Sequence, residues 1–314
     1  MQHRFLGSTG IRVSHLGLGT LTWGRDTSEA EAQDMVRTFL DAGGNVLHTS
    51  ALFGSGQAQR VLGSIFDSYL DREECVLIAK GGFLRVADHW QVSNSRTGIL
   101  ASIDHALGEL GTDYLDVFIL EDYDPRTAVE ETLAGLDMAL RSGKVRALGI
   151  GDFGSWRSAQ ILTRGEVGGV PIQTMEAPYS LLERGVEEQI LGPLHEDGRG
   201  FIATSALAGG ALTGKYRHGT PPDSRAASPV LAAWVVPYLQ PQYQPILEAL
   251  GRAASGLEVP AYAVALGWLR AQLAVSCAVV GPRTDMQLRQ LLEYGDTELP
   301  LPLVEALNDA RVLG

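Results

Sequence analysis

Short apolar or β-branched runs recur along the chain at wide spacing. They are VSHLGLG (13–19), NVLHT (45–49), CVLIAK (75–80), YLDVFIL (114–120), VRALGI (145–150), PIQTM (171–175), GFIATS (200–205) and CAVVG (277–281). Between them lie longer segments with apolar residues at i, i+3, i+4 and i+7, the period of an amphipathic helix. Examples are SEAEAQDMVRTFLDAG, RTGILASIDHALGELG, AVEETLAGLDMALRSG and PAYAVALGWLRAQLA. Glycines at 43–44, 111 and 143 stand where a left-handed residue would end a helix. Strand then helix, eight times over, predicts an α/β fold with a parallel sheet, and eight units in about 300 residues fit a (β/α)8 TIM barrel. A doubly wound sheet fits less well, because the first run ends GLGTLTWG rather than in a G-x-G-x-x-G turn. The opening RFLGSTGIRVS reads as a short N-terminal β-hairpin ahead of the barrel. Residues 1–314 are expected to form a single barrel domain. One interval breaks the rhythm: Lys215 to Leu239, rich in Pro, Ser and Gly, is a candidate lid or binding loop between the seventh and eighth strands.

Composition changes this picture little. With 45% hydrophobic and 20% charged residues over 314 positions, the chain has the balance of a globular protein with a large core. Its formal net charge of −12, with no run of Lys or Arg, argues against a nucleic-acid partner. No apolar stretch approaches the roughly 18 residues of a membrane span, and the N-terminus lacks a signal-peptide core, so a cytoplasmic protein is expected. Cys75 and Cys277, each inside an apolar run, read as buried thiols rather than a disulfide or metal ligands.

The candidate chemistry lies at the ends of the runs. His48, Lys80 and Glu121 close the second, third and fourth, and Phe53 follows five residues after His48. On neighbouring barrel strands these side chains meet at the ligand-bearing face. A histidine beside an amine and a carboxylate is equipped for proton transfer, but a buried ion pair with a hydrogen-bonded core histidine accounts for the same residues. A metal is not expected, because Lys80 would repel it. His3, His15, His105 and His195 fall in hairpin or helical contexts. Trp23, Trp90 and Phe53 are the apolar candidates for a pocket mouth.

Six stretches in order, RFLGSTGIRVSHLGLGT, GTDYLDVFILEDYDP, RALGIGDF, APYSLLER, LAGGALTGKYR and AVVGPRTDMQL, resemble the aldo-keto reductase superfamily across nearly the whole chain. The resemblance implies an NADP(H)-dependent barrel that reduces carbonyls on small molecules. In that family a tyrosine is the general acid, tuned by a lysine that an aspartate orients, and a histidine helps place the carbonyl. Here NVLHTSALFG stands for the family's N-F-F-D-T-A followed by Y-G, so His48 replaces the aspartate and Phe53 the tyrosine. Lys80 matches the lysine, and DVFILE puts Glu121 at the histidine position. Glutamate there also occurs in the family's steroid double-bond reductases, which keep the tyrosine. A phenyl ring has no proton to give, and general acid catalysis is worth about 10²- to 10⁴-fold.

The same resemblance assigns cofactor positions. Gly151 and Asp152 stand for a Ser-Asn pair, Glu176 for a glutamine that holds the carboxamide, and Thr204 for a stacking tyrosine. Gly209, Gly210, Lys215, Gly281, Arg283 and Gln287 match the phosphate and adenine end, although a usual asparagine is Leu291. Glu121, Asp152 and Glu176 are expected to surround the nicotinamide with negative charge, which would favour NADP⁺ or another cationic ligand. Three readings stay open: a reductase of unusual mechanism, a non-catalytic nucleotide- or metabolite-binding barrel, and a barrel doing nicotinamide-independent acid–base chemistry.

Overall fold

All eight apolar runs become strands of one closed sheet. The computed structural model describes residues 1–68, 70–87 and 89–311. In chain order the strands are β1 (His3–Phe5), β2 (Arg12–Ser14), β3 (Leu16–Gly19), β4 (Val46–Ser50), β5 (Val76–Gly81), β6 (Phe83–Val86), β7 (His89–Val92), β8 (Leu115–Leu120), β9 (Val145–Ile150), β10 (Ile172–Pro178), β11 (Gly200–Thr204) and β12 (Val275–Val280). The barrel closes in the order β10-β11-β12-β3-β4-β5-β8-β9. Every neighbouring pair in it is parallel. Helices cover the outside, as the eightfold alternation predicts.

Two-residue alternation decides which side chains fill the barrel. Val46, Val76, Ile78, Val117, Ile119, Ala147, Ile202 and Cys277 form the interior layer, closed below by Leu6 and Val13 of the hairpin segment. Their neighbours Leu47, Leu77, Phe118 and Leu148 point outward into the helices. Both cysteines are free and buried. Burial pushes the Cys75 thiol up to about 12, which keeps it inert. The hairpin β1–β2 seals the N-terminal end of the barrel. Ser8 donates its N–H to the Gly198 carbonyl at 2.8 Å, and Arg4 donates to the Val275 carbonyl at 2.7 Å. Gly7 sits at φ +54 with its missing Cβ only 2.3 Å from the Gly200 nitrogen, so a larger residue would lift the hairpin off.

The expected helix stops hold. Gly111 caps the helix Arg96–Leu110 at φ 63, and Gly43 and Gly143 follow the helices Glu29–Asp41 and Val129–Arg141 at φ 79 and 76. The hairpin β6–β7 was not foreshadowed, because its residues are mostly exposed and its four-residue strands carry no apolar run. Trp90 on β7 packs against His105 at 5.3 Å, and Trp23 is fully buried in the core; neither reaches the pocket mouth expected of it. The irregular interval is built from short 3-10 turns at Arg225–Ala227, Ala232–Trp234 and Val236–Leu239. Among the described residues no helix is long and apolar enough to cross a membrane.

Candidate active site

Parallel register brings the strand-end residues to one face. His48 pairs with Ile78 and Ser50 with Lys80 across β4–β5, and Glu121 follows the last residue of β8. Glu176 lies near the end of β10. These four strands place a continuous polar chain across the rim. Lys80 Nζ lies 2.7 Å from Glu121 Oε1 and 2.9 Å from Glu176 Oε1. The other Glu176 oxygen lies 2.7 Å from His48 Nε2, and the Ser50 hydroxyl donates to Glu121 Oε2 at 2.8 Å. His48, Lys80 and Glu176 are all buried.

Burial works against each of these charges, and the pairing overcomes it. For Lys80, Glu176 first and Glu121 second outweigh desolvation and hold the amine protonated well above the ordinary lysine range. For Glu176, Lys80 and then His48 outweigh desolvation and hold the carboxylate ionised, down to about 2. An ionised carboxylate only accepts, so the ring nitrogen facing it carries the proton: His48 Nε2–H donates to Glu176. The Phe53 ring completes the group. Its centroid is 5.3 Å from Lys80 Nζ and 6.0 Å from the centre of the His48 ring. It opens a 3-10 turn, Phe53–Gly56, in which Gly54 holds φ 58; a Cβ there would meet the Trp23 carbonyl oxygen at 1.8 Å.

A cavity of about 620 Å³ opens above this group. His48, Phe53, Lys80, Glu121 and Thr204 line one end, and Gly209, Gly210, Lys215, Gly281, Arg283 and Gln287 line the other. The far end is cationic. Lys215 and Arg283 are joined there by Arg225, and among the described residues none of the three forms a salt bridge, with Asp223 acting on Lys215 and Asp26 on Arg225 only at longer range. Burial and then Arg225 and Arg283 push the Lys215 amine down; burial and then Arg283 do the same to Arg225. Three clustered cations make a site for an anion. The irregular interval is strapped over this end by crossed arginines: Arg225 donates to the Gly281 carbonyl and Arg283 to the Asp223 carbonyl. The glycines serve the strap as well. A Cβ on Gly209, at φ 64, would lie 2.6 Å from Val235 Cγ2, and one on Gly210 would lie 2.8 Å from Lys215 Nζ.

The family model for the aldo/keto reductase family matches residues 15–310. The chain belongs to the aldo/keto reductase family. Its relatives include an uncharacterized oxidoreductase, YrpG, of Bacillus subtilis, 29% identical over 322 residues, 98% of this chain and 95% of that protein. An L-glyceraldehyde 3-phosphate reductase of Escherichia coli K12 is 31% identical over 233 residues, 72% of this chain and 67% of that protein. The aldo-keto reductase YhdN of B. subtilis is 29% identical over 225 residues, 68% of this chain and 65% of that protein.

The four candidate positions, His48, Phe53, Lys80 and Glu121, do converge on one cavity. The acidic ring of charge expected around a nicotinamide does not form. Asp152 is exposed and outside the cavity lining, where its carboxylate accepts the Gly154 N–H at 2.9 Å and orders the approach to the next helix. Glu176 lies behind the lining, and both its oxygens are spent on Lys80 and His48. The unpaired cations fit the phosphates of NADP(H), with Lys215, Arg225 and Arg283 as the groups that would hold them. At the other end neither Asp152 nor Glu176 is placed to hold a carboxamide. Sequence reasoning missed Arg225 and Ser50. Arg225 sits in the featureless PPDSRAASP, and a serine at a strand end carries no signal until its carboxylate partner is located.

Proposed function

We propose that this chain is an NADP(H)-linked oxidoreductase acting on a small carbonyl compound, with His48 as the proton donor in place of the absent tyrosine. The observation that carries the reading is the 2.7 Å contact of the cavity-lining His48, through Nε2, with a carboxylate buried behind the cavity wall. Nε2 is committed to Glu176, so Nδ1 is the ring atom available to a substrate oxygen. A bound NADPH would supply hydride. The protein's part is then to give the Nδ1 proton of a doubly protonated His48 to the oxygen as negative charge builds there, which leaves the ring neutral with Nε2–H still on Glu176, and the Lys80 ammonium adds a favourable field. Phe53 walls the site and keeps water from the transfer. Lys80, held protonated between two carboxylates, cannot act as a nucleophilic amine, which speaks against lysine Schiff-base chemistry.

The test has two stages. NADPH and NADP⁺ are titrated into the protein with tryptophan fluorescence as the readout, and Arg225→Ala should weaken binding about tenfold or more in a salt-dependent way. A panel of aldehydes, ketones and enones then follows, with His48→Ala beside the wild type. Turnover that His48→Ala removes supports the reading. Full turnover in that variant overturns the role of His48, and no binding at millimolar cofactor overturns the redox reading. Tight binding without turnover on any panel member would make the chain a nucleotide-binding barrel instead.

A further inference from the structure

We infer that Glu176 is a positioning residue: it supplies from the sixth barrel strand the carboxylate that orients the catalytic lysine, a duty the family gives to the second strand, and it fixes which nitrogen of His48 is free. The inference rests on the assignment of His48 as proton donor and gives Glu176 a duty other than gripping a nicotinamide.

Three observations carry it. Each oxygen of Glu176 has one partner, Lys80 Nζ at 2.9 Å and His48 Nε2 at 2.7 Å, so a single carboxylate sets both groups. Glu176 is 4% exposed and lies outside the cavity lining, so a ligand meets Lys80 and His48 but not the residue that aligns them. The exchange also balances. Against the family pattern that the chain resembles, position 48 carries an imidazole where a carboxylate is usual and position 176 a carboxylate where a glutamine is usual, and the two meet at 2.7 Å. Lys80 keeps a counter-charge, and the neutral ring acquires a defined tautomer, Nε2–H toward Glu176, which leaves Nδ1 as the nitrogen not engaged by it. Carboxylate–histidine pairs fix ring orientation by this same hydrogen bond.

The test reads Lys80 and His48 directly, without turnover. Acylation of Lys80 by acetic anhydride at pH 9 is followed by mass spectrometry in wild type, Glu176→Gln, and the double variant His48→Asp with Glu176→Gln. The last returns the carboxylate to the second strand. In parallel, ring-nitrogen NMR of 15N-histidine protein, with His48 assigned by its loss in His48→Gln, reports the tautomer in wild type and Glu176→Gln. We expect slow labelling in wild type, labelling about tenfold faster in Glu176→Gln, as a one-unit fall in the amine's pKa would give, and slow labelling again in the double variant. For the neutral ring we expect pure Nε2–H in wild type and a mixture in Glu176→Gln. Wild-type labelling in Glu176→Gln, a double variant that labels as fast as the single, or an Nδ1–H tautomer in wild type would each overturn the inference. Should Glu176→Gln not fold, a folded, slow-labelling double variant supports the inference, and a double variant that fails to fold overturns it. A positive result alongside a protein that turns over no carbonyl would refute only the redox reading.

Discussion

Removing the charge of Lys80 tests the rim network most severely. Lys80→Met keeps the length of the side chain and leaves Glu121 and Glu176, which had been 2.7 and 2.9 Å from one ammonium, without a shared cation. Breaking a buried ion pair by deleting one partner typically costs about 3–5 kcal/mol, because the remaining charge stays desolvated. With an unfolding entropy of about 2.1 cal/mol/K per residue over 314 residues, that loss lowers the melting midpoint by about 5–8 °C. Glu176→Gln alone should cost less, about 1.5–3 kcal/mol, since Lys80 keeps Glu121 and what goes is the charge assistance of the contacts with Lys80 and His48. The combination is the discriminating measurement. In the Lys80→Met background, Glu176→Gln removes an orphaned charge and should be neutral or stabilising, so the two changes must be strongly non-additive. Calorimetry of the four proteins at pH 7 decides. A Lys80→Met midpoint within about 1 °C of wild type, or simple additivity, would refute the claim that Lys80 is the cation on which both carboxylates depend.

Three further outcomes follow from the same geometry. Glu176 is held down at about 2 against about 4.3 when unfolded, so its contribution is complete above pH 5 and fades as the pH falls toward 2; Lys80, raised in the fold, contributes below pH 10 and fades above it. The stability gap between wild type and Glu176→Gln should therefore shrink on acidification below about pH 4, and a gap that persists at pH 2 would contradict the assignment. Phe53→Tyr restores a hydroxyl beside Lys80, and kcat for aldehyde reduction should rise about 100-fold, the low end of general-acid effects; an unchanged rate would mean that the ring does not face the substrate oxygen. Gly209→Ala forces a Cβ into Val235 at a backbone φ of 64, so the strap should shift, with about 1–3 kcal/mol lost and NADPH binding weakened, and unchanged binding would separate the strap from the anion site.

Much of the architecture was legible because periodicity is a direct imprint of burial. All eight strands announced themselves as apolar runs, and Gly111 marked a helix end because only a left-handed residue closes that turn at φ 63. The strand-end residues His48, Lys80 and Glu121 were legible too, since strand register alone carries them to one rim. What stayed hidden depends on the third dimension. Asp152 and Glu176 look alike in sequence, yet one caps a loop outside the cavity and the other lies buried between a lysine and a histidine. Their directions depend on the strand ends around them, which no local pattern encodes. Trp23 failed as a mouth residue for a related reason: a large apolar side chain goes wherever the core has room, and here that is fully inside.

The network on the rim also constrains ancestry. Lys80 is buried and charge-balanced by Glu121 and Glu176, so on a path from an aspartate at position 48, losing that aspartate before either glutamate was present would leave an uncompensated buried cation. Building the intermediates in both orders and measuring their folding yields would test that constraint, with the carboxylate-first series folded throughout and the loss-first series passing through an unstable step.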